Sequence, residues 1–229
     1  MTLFDFHTHT SISDGHAAPL EMARRCQQNG YSAYVCSDHV DEATVERRVR
    51  EIVAACIQVS RELDIPAVPA VEVTRVAPER VARVAARARS LGARLVVVHG
   101  ETIGDFPQPG LNLAAARCSD VDILGHPGLI TEEAAEAARD HGIHLEISAA
   151  GLHGMTNGHV AKIATLVGAK LVLDSDAHRP EALLTAERAP QLLRGSGLDP
   201  EQILRVSQQA PFDILGRRGI EIPIPLPAS

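Results

Sequence analysis

Imidazoles and carboxylates punctuate this 229-residue chain in short groups: HTHT at 7–10, SDGH at 13–16, SDH at 37–39, Glu72 in PAVEVT, His99 in VVVHGET, His126 in LGHPG, and SDAH at 175–178. Most of them follow a short apolar run. In extended backbone, residues two apart point to the same side, so His7 and His9 face together, as do Asp176 and His178 if the strand persists. Neutral imidazole and carboxylate oxygen are good ligands for zinc, manganese or iron. One histidine in such a place is more often a satisfied core or surface residue. The group resists that reading, because each unpaired buried polar atom costs about 1–3 kcal/mol. A divalent metal centre would use those lone pairs. HTH alone is a weak signal; with SDH, a strand-end Glu, two strand-end His and a terminal DAH it is a strong one.

The elements that position these groups are legible in outline. Branched or Leu-rich runs predict strands near Leu3–Thr8, Ala33–Ser37, Ala67–Val73, Leu95–His99, Asp122–His126, His144–Ser148 and Leu171–Ser175. Helical periodicity predicts helices over Pro19–Gln28, Glu42–Leu63, Pro78–Leu91, Asn112–Cys118, Glu132–His141, Val160–Val167 and Glu181–Leu193. Pro19 and Pro78 suit first turns, Gly30, Gly92, Gly142 and Gly168 suit helix ends, and Asn112 suits an N-cap. Two further helices are expected at Pro200–Gln208 and Pro211–Leu215, then a proline-rich extended strap over Ile222–Ser229. One domain spans 1–229, with 216–229 as its tail.

Strand and helix alternate seven times, which implies parallel strands joined by right-handed crossovers. An open doubly wound sheet and a closed barrel both satisfy that pattern. No glycine-rich phosphate loop follows the first strand, so the nucleotide-binding open sheet has no support. Six strands deliver a histidine or carboxylate to their C-terminal ends, the rim where (β/α) barrels hold active sites. That distribution favours a barrel.

Composition sets further bounds. Apolar residues make up 45% of the chain and aromatics 3%, with no Trp, so the core is aliphatic, as in parallel α/β sheets. A net charge of −7 offers no broad basic surface for anionic lipid or long nucleic acid. No run approaches the ~18 apolar residues of a membrane span, and the N-terminus lacks a basic leader. The four cysteines lie far apart without a CxxC pair, which fits free thiols in a reducing compartment. A soluble cytoplasmic protein is expected, and no sequence feature fixes an oligomeric state.

In order and type, these motifs make the chain similar to the PHP (polymerase and histidinol phosphatase) superfamily of metal-dependent phosphoesterases. The resemblance runs from HTHT at 7–10 to SDAH at 175–178 and is nearest to stand-alone phosphatase-like members. It implies an irregular seven-stranded (β/α)7 TIM-like barrel holding two to three divalent ions, Zn, Mn or Fe. By the resemblance, His7, His9, Glu72 and Asp176 would hold one metal. Glu72 would bridge to a second, held also by His99 and His126, while His16, His39 and His178 would hold a third. All nine positions carry the family's residue types. The implied reaction is hydrolysis of a phosphate ester by a metal-activated hydroxide near Glu72 and Asp176. The substrate would be a small phosphorylated metabolite, either a phosphomonoester such as a histidinol-phosphate-like compound or a small nucleotide.

Around that centre, Arg75 and Arg179 are placed to hold phosphate in a guanidinium fork. Glu101 and His153 are candidate substrate contacts, and Asp14, Asp38 and Asp174 are candidates to orient ligand histidines. His141 and His144 belong to the opposite end of the barrel, and His159 opens a helix near the functional face. Three other functions compete, one of them a nuclease-type phosphodiesterase, which scarce aromatics for base stacking disfavour. An amidohydrolase also shows HxH after its first strand, but its binuclear form commonly needs a mid-barrel lysine; Lys162 falls in a helix and Lys170 precedes the seventh strand. A non-catalytic metal-binding module is opposed by the complete ligand set.

Overall fold

The computed structural model describes residues 3–222. In chain order the elements are α1 (Pro19–Gln28), β1 (Tyr34–Cys36), β2 (His39–Val40), α2 (Val45–Glu62), β3 (Ala67–Val73), α3 (Val81–Ser90), β4 (Leu95–His99) and α4 (Leu111–Ala116). They continue with β5 (Ile123–Gly125), α5 (Glu132–His141), β6 (His144–Ser148), α6 (Asn157–Val167), β7 (Leu171–Asp174), α7 (Arg188–Gly195), α8 (Pro200–Leu204) and α9 (Ala210–Arg217). The strands form one parallel sheet in the order β1-β3-β4-β5-β6-β7, with β2 also pairing β3. The sheet curls into a half-barrel with helices outside, a TIM-like α/β fold.

Alternation along each strand sorts side chains between two cores. Val96 and Val98 of β4 pack outward against helices, while Leu95 and Val97 turn inward with Val68, Ala70, Ile123 and Val172. The same parity carries Glu72, His99, Glu146 and Asp174 inward at the upper ends of their strands. The barrel interior is therefore aliphatic below and polar above. Ile214 and Leu215 of α9 close it from below.

The first expected strand does not form. Leu3 and Thr8 make only isolated bridges, to Tyr31 and Ala177. Between and beyond them, side chains take the place of a ladder: the N–H groups of Phe6, Thr8 and Thr10 donate to Asp174 Oδ1 (2.6 Å), Ser37 Oγ (2.8 Å) and Asp38 Oδ1 (2.8 Å). A regular strand could not serve here. Phe4 and Phe6 join the inner core, and His7 and His9, of opposite parity, also face the interior. The irregular segment spans the gap between β1 and β7, with His9 N–H donating to Ala177 O at 2.9 Å.

Other boundaries shift for local reasons. The second expected strand, Ala33–Ser37, forms only over Tyr34–Cys36, and a further short strand, β2, follows Ser37 and Asp38, the two residues that clamp the first segment. The helix expected over Glu181–Leu193 begins only at Arg188, after a 3-10 turn at Pro180–Ala182 and a stretch that buries Leu183 and Leu184. The helix expected from Pro200 passes into a π turn at Arg205–Gln209. Asn112 is not an N-cap. Gly110 holds that place at φ 91°, and the buried Asn112 side chain accepts from Glu101 N and donates to Pro127 O. The expected tail starts too early, because α9 runs to Arg217, and residues 223–229 of the proline-rich strap lie outside the described residues. No helix among the described residues is long and apolar enough to cross a membrane.

Candidate metal centre

Glu72 sits at the middle of the polar layer, fully buried near the end of β3. Its Oε2 lies 2.5 Å from His39 Nδ1, 3.4 Å from His7 Nε2 and 3.6 Å from His9 Nε2, and its Oε1 lies 3.4 Å from His126 Nε2. Neither oxygen finds an aligned hydrogen-bond donor. Asp176 stands opposite, its Oδ1 3.0 Å from His9 Nε2 and 3.6 Å from His7 Nε2. Nearer solvent, Asp14 approaches His39 Nε2 at 3.3 Å and His178 Nε2 at 3.4 Å.

These atoms pass a test of fit for divalent metal. His7 Nε2, both His9 ring nitrogens, His126 Nδ1 and both Glu72 oxygens are buried without hydrogen-bond partners. Left so, each would cost about 1–3 kcal/mol. Ligand atoms within 4.8 Å of one another form four groups: His7–His9–Asp176, His7–Glu72–His126, His9–Asp14–His39–His178 and His126–His153–Asp176. Imidazole and carboxylate donors in sets of three and four suit zinc, manganese or iron.

The charge state agrees with the geometry. Burial works to raise the Glu72 carboxyl pKa, but the facing His39 and His7 overcome it and hold the group well below the usual range. Burial would lower His7, yet Glu146, Glu72 and Asp176 raise it well above its ordinary value. His39 is pushed up to about 10 against burial, by Glu72 and Asp14. Burial and the neighbouring His39 lower His9. Protons and metals compete for these lone pairs, so metal loading would displace protons.

Supporting groups fix the rings. Glu146 Oε2 accepts from His7 Nδ1 at 2.7 Å, a pairing that leaves Nε2 facing Glu72 and Asp176. A Cβ at Gly125 would stand 3.2 Å from both Glu146 Oε2 and His7 Cε1, so the glycine leaves room for that pair. His39 Nδ1 meets Thr74 Oγ1 at 2.8 Å, and His99 Nδ1 meets Gly100 O at 3.0 Å. Arg75, His126 and Asp176 are the non-glycine residues at positive φ (58°, 27° and 51°) among the described residues, and all three lie on this rim. Backbone held in such regions is a mark of functional sites.

Several sequence-based assignments move. Asp38 orients no ligand histidine; it accepts from Thr10 and Ser13 and pins the loop after His9. Asp174 likewise holds the Phe6 N–H rather than a ring. Glu101 caps α4, its Oε1 accepting from Gly110 N (3.0 Å) and Asn112 N (2.9 Å). Asp14 joins His9, His39 and His178 in a ligand group, where it was expected only to orient ligands, and His16 stays exposed outside that group, 3.5 Å from Arg179 Nη2. His99 lies beside His126, ring centroids 4.5 Å apart, with Asp105 Oδ2 3.6 Å from its Nε2.

His153 comes closer to the centre than its loop position suggests. Its Nδ1 pairs with Thr102 Oγ1 at 2.7 Å, and its Nε2 lies 3.6 Å from Asp176 Oδ2. Asn157 ties that loop to Ser148 through two hydrogen bonds. Arg75 and Arg179 are exposed on the same rim. His141 bonds Ala137 O at a helix end, His159 bonds Ile130 O, and His144 is buried at the far end of the barrel. Glu146 carried no assignment from the sequence. Its signal was a glutamate at the centre of the strand HLEIS, in phase with His144 and Ser148.

No family model matches the chain. It is 36% identical over 215 residues to an uncharacterized protein of Methanocaldococcus jannaschii, covering 93% of this chain and 99% of that protein. A probable phosphatase of Shewanella sp. (strain MR-4) is 30% identical over 116 residues, 46% of each chain, so the match spans less than half of that relative. Among solved structures, a chain of archaeal ribonuclease P with mature tRNA superposes with a TM-score of 0.69 at 15% identity, covering 97% of this chain and 98% of that one. A candidate histidinol phosphatase from Listeria monocytogenes gives 0.55 at 14% identity, covering 80% and 98%. The N6-methyl-AMP deaminase of Arabidopsis thaliana gives 0.55 at 12% identity, covering 93% and 91%. At these identities the three structures share a fold with this chain and nothing finer.

Proposed function

We propose that the chain is a PHP-like metal-dependent phosphoesterase that hydrolyses a small phosphorylated metabolite at a centre of two to three divalent ions. The observation that carries the reading is the buried, unpartnered Glu72 carboxylate, ringed by His7, His9, His39 and His126. In the proposed assignment His7, His9, Glu72 and Asp176 would hold one ion, and Glu72 would be shared with a second held by His126 and His99. His39 and His178 would hold a third, with Asp14 taking the place first given to His16. Divalent ions there would supply Lewis acidity, lowering the pKa of water toward about 7 and neutralising charge on phosphoryl oxygens.

The chain's own residues do the rest. Glu146 and Thr74 set the tautomers of His7 and His39, so that ligand nitrogens are aimed before metal arrives. Thr102 fixes His153, whose Nε2 faces the centre and is available to a substrate oxygen. Arg179 and Arg75 stand on the rim to meet phosphate. Buried, unbridged cysteines support a reducing, cytoplasmic setting. Net charge −7 and scarce aromatics favour a small substrate over long nucleic acid.

An amidohydrolase centre bridged by a modified lysine finds no support: Lys170 is ion-paired to Asp213 at 2.6 Å and Lys162 is exposed on α6. The test is a substrate panel on metal-reconstituted protein, spanning phosphomonoesters, small phosphodiesters, amides and lactones. Phosphate esters should turn over, and chelation should abolish the activity. Turnover of amides or lactones with an inert phosphate panel overturns the proposal.

A further inference from the structure

A cavity of about 640 Å³ opens directly beside Asp176 and His178. Pockets of this size accept whole metabolites, not a phosphoryl group alone. Its lining joins Asp176 and His178 of the candidate metal centre to Arg179 and to Arg188 and Gln191 at the start of α7. Short or apolar side chains, including Ala149, Ala150, Ala182 and Leu183, make up much of the rest.

The charges in this cavity are unbalanced. Asp176, already committed to the centre, is the one carboxylate in its lining. Elsewhere, arginines such as Arg89, Arg117, Arg205 and Arg218 are paired with carboxylates. Among the described residues Arg188 and Arg179 have no such partner, and Arg179 instead stands near His16. A guanidinium fork with no internal carboxylate suits an external one, or a phosphate.

We propose that Arg188, with Gln191, forms a second anion subsite in the cavity beside the metal centre, and that the substrate is a phosphate ester whose alcohol portion carries a second anionic group beyond a short apolar spacer. This inference rests on the phosphoesterase reading. It makes Arg188 a residue that determines specificity, separate from the machinery around Glu72.

The test measures binding without turnover. Manganese-reconstituted protein is titrated calorimetrically with alkylphosphonates and with ω-carboxyalkylphosphonates of matched chain length. At one length the carboxylated ligand should bind about tenfold more tightly. Arg188→Ala should erase that preference and Arg188→Lys should keep part of it; Arg188 is exposed at a helix start, so neither change opens the core. Equal affinity for the two series at every length, or a preference that survives Arg188→Ala, overturns the subsite while leaving the metal reading intact. If fully metallated protein binds neither series, the phosphoesterase reading itself fails, and the subsite falls with it.

Discussion

Replacing Glu146 tests whether the carboxylate behind His7 shapes the metal centre. Both side chains are fully buried, and the 2.7 Å contact between Glu146 Oε2 and His7 Nδ1 is short enough to be charge-assisted. Loss of such an orienting partner typically lowers metal affinity about 10- to 100-fold, or roughly 1.4–2.7 kcal/mol. Glu146→Gln keeps an acceptor oxygen and loses the charge, so it belongs near the tenfold end. Glu146→Ala also leaves His7 Nδ1 without this acceptor and frees the ring to turn, so it belongs near the hundredfold end. The assay is competition for zinc against a chromophoric chelator, with thermal unfolding of the apo forms as the control for folding. Affinity within twofold of the parent protein in a folded Glu146→Ala variant would refute the reasoning.

Glu72→Ala should disorganise two ions at once and abolish phosphate ester hydrolysis, whereas His178→Ala should cost mainly the outermost ion; elemental analysis and a phosphate-release assay of both variants check this. Near-normal turnover with two ions bound in Glu72→Ala would contradict the bridge. A different prediction concerns His144, 2% exposed at the far end of the barrel, its pKa lowered to about 4 by burial, then by Lys170 and Arg217 against a weaker opposing pull from Asp213. The native pKa lies below the unfolded value near 6.5, so the unfolded state takes up the proton first and stability is lost as pH falls from about 6.5 to about 4. At pH 5 this amounts to about 2 kcal/mol. Urea unfolding at pH 7 and pH 5 should therefore show a pH-dependent loss about that much smaller in His144→Leu than in the parent, and equal losses would remove His144 as the cause.

What the sequence made legible follows the range of the interactions involved. β3, β4 and β6 match their expected bounds because continuous branched runs bounded by turns need little outside help. Period-two alternation in β3 and β4 accounts for the inward turn of Glu72 and His99, whereas His126, Asp176 and His178 lie past the ends of their strands and His7 and His9 on the irregular first segment. The irregular first segment was not legible, because its path depends on Asp174, Ser37 and Asp38, residues distant in sequence that replace a ladder. Glu101 looked like a free rim carboxylate until the N–H groups of Gly110 and Asn112 claimed it. Arg188 falls inside the helix expected over Glu181–Leu193, whereas in the structure it opens α7 and lines the cavity. Asp14 and His16 lie two apart in one loop, and the loop's closure decides which of them faces His39 and His178.

The most direct test of the metal-dependent phosphoesterase account is a titration of the metal-free protein with manganese or zinc, in which bound metal and phosphate release are measured on the same samples. The account predicts negligible release from the metal-free protein, and release that rises as two to three equivalents bind to the clustered histidines and carboxylates. Full activity with at most one bound equivalent would contradict a multinuclear centre. A fully loaded protein that releases no phosphate from any ester would contradict the function.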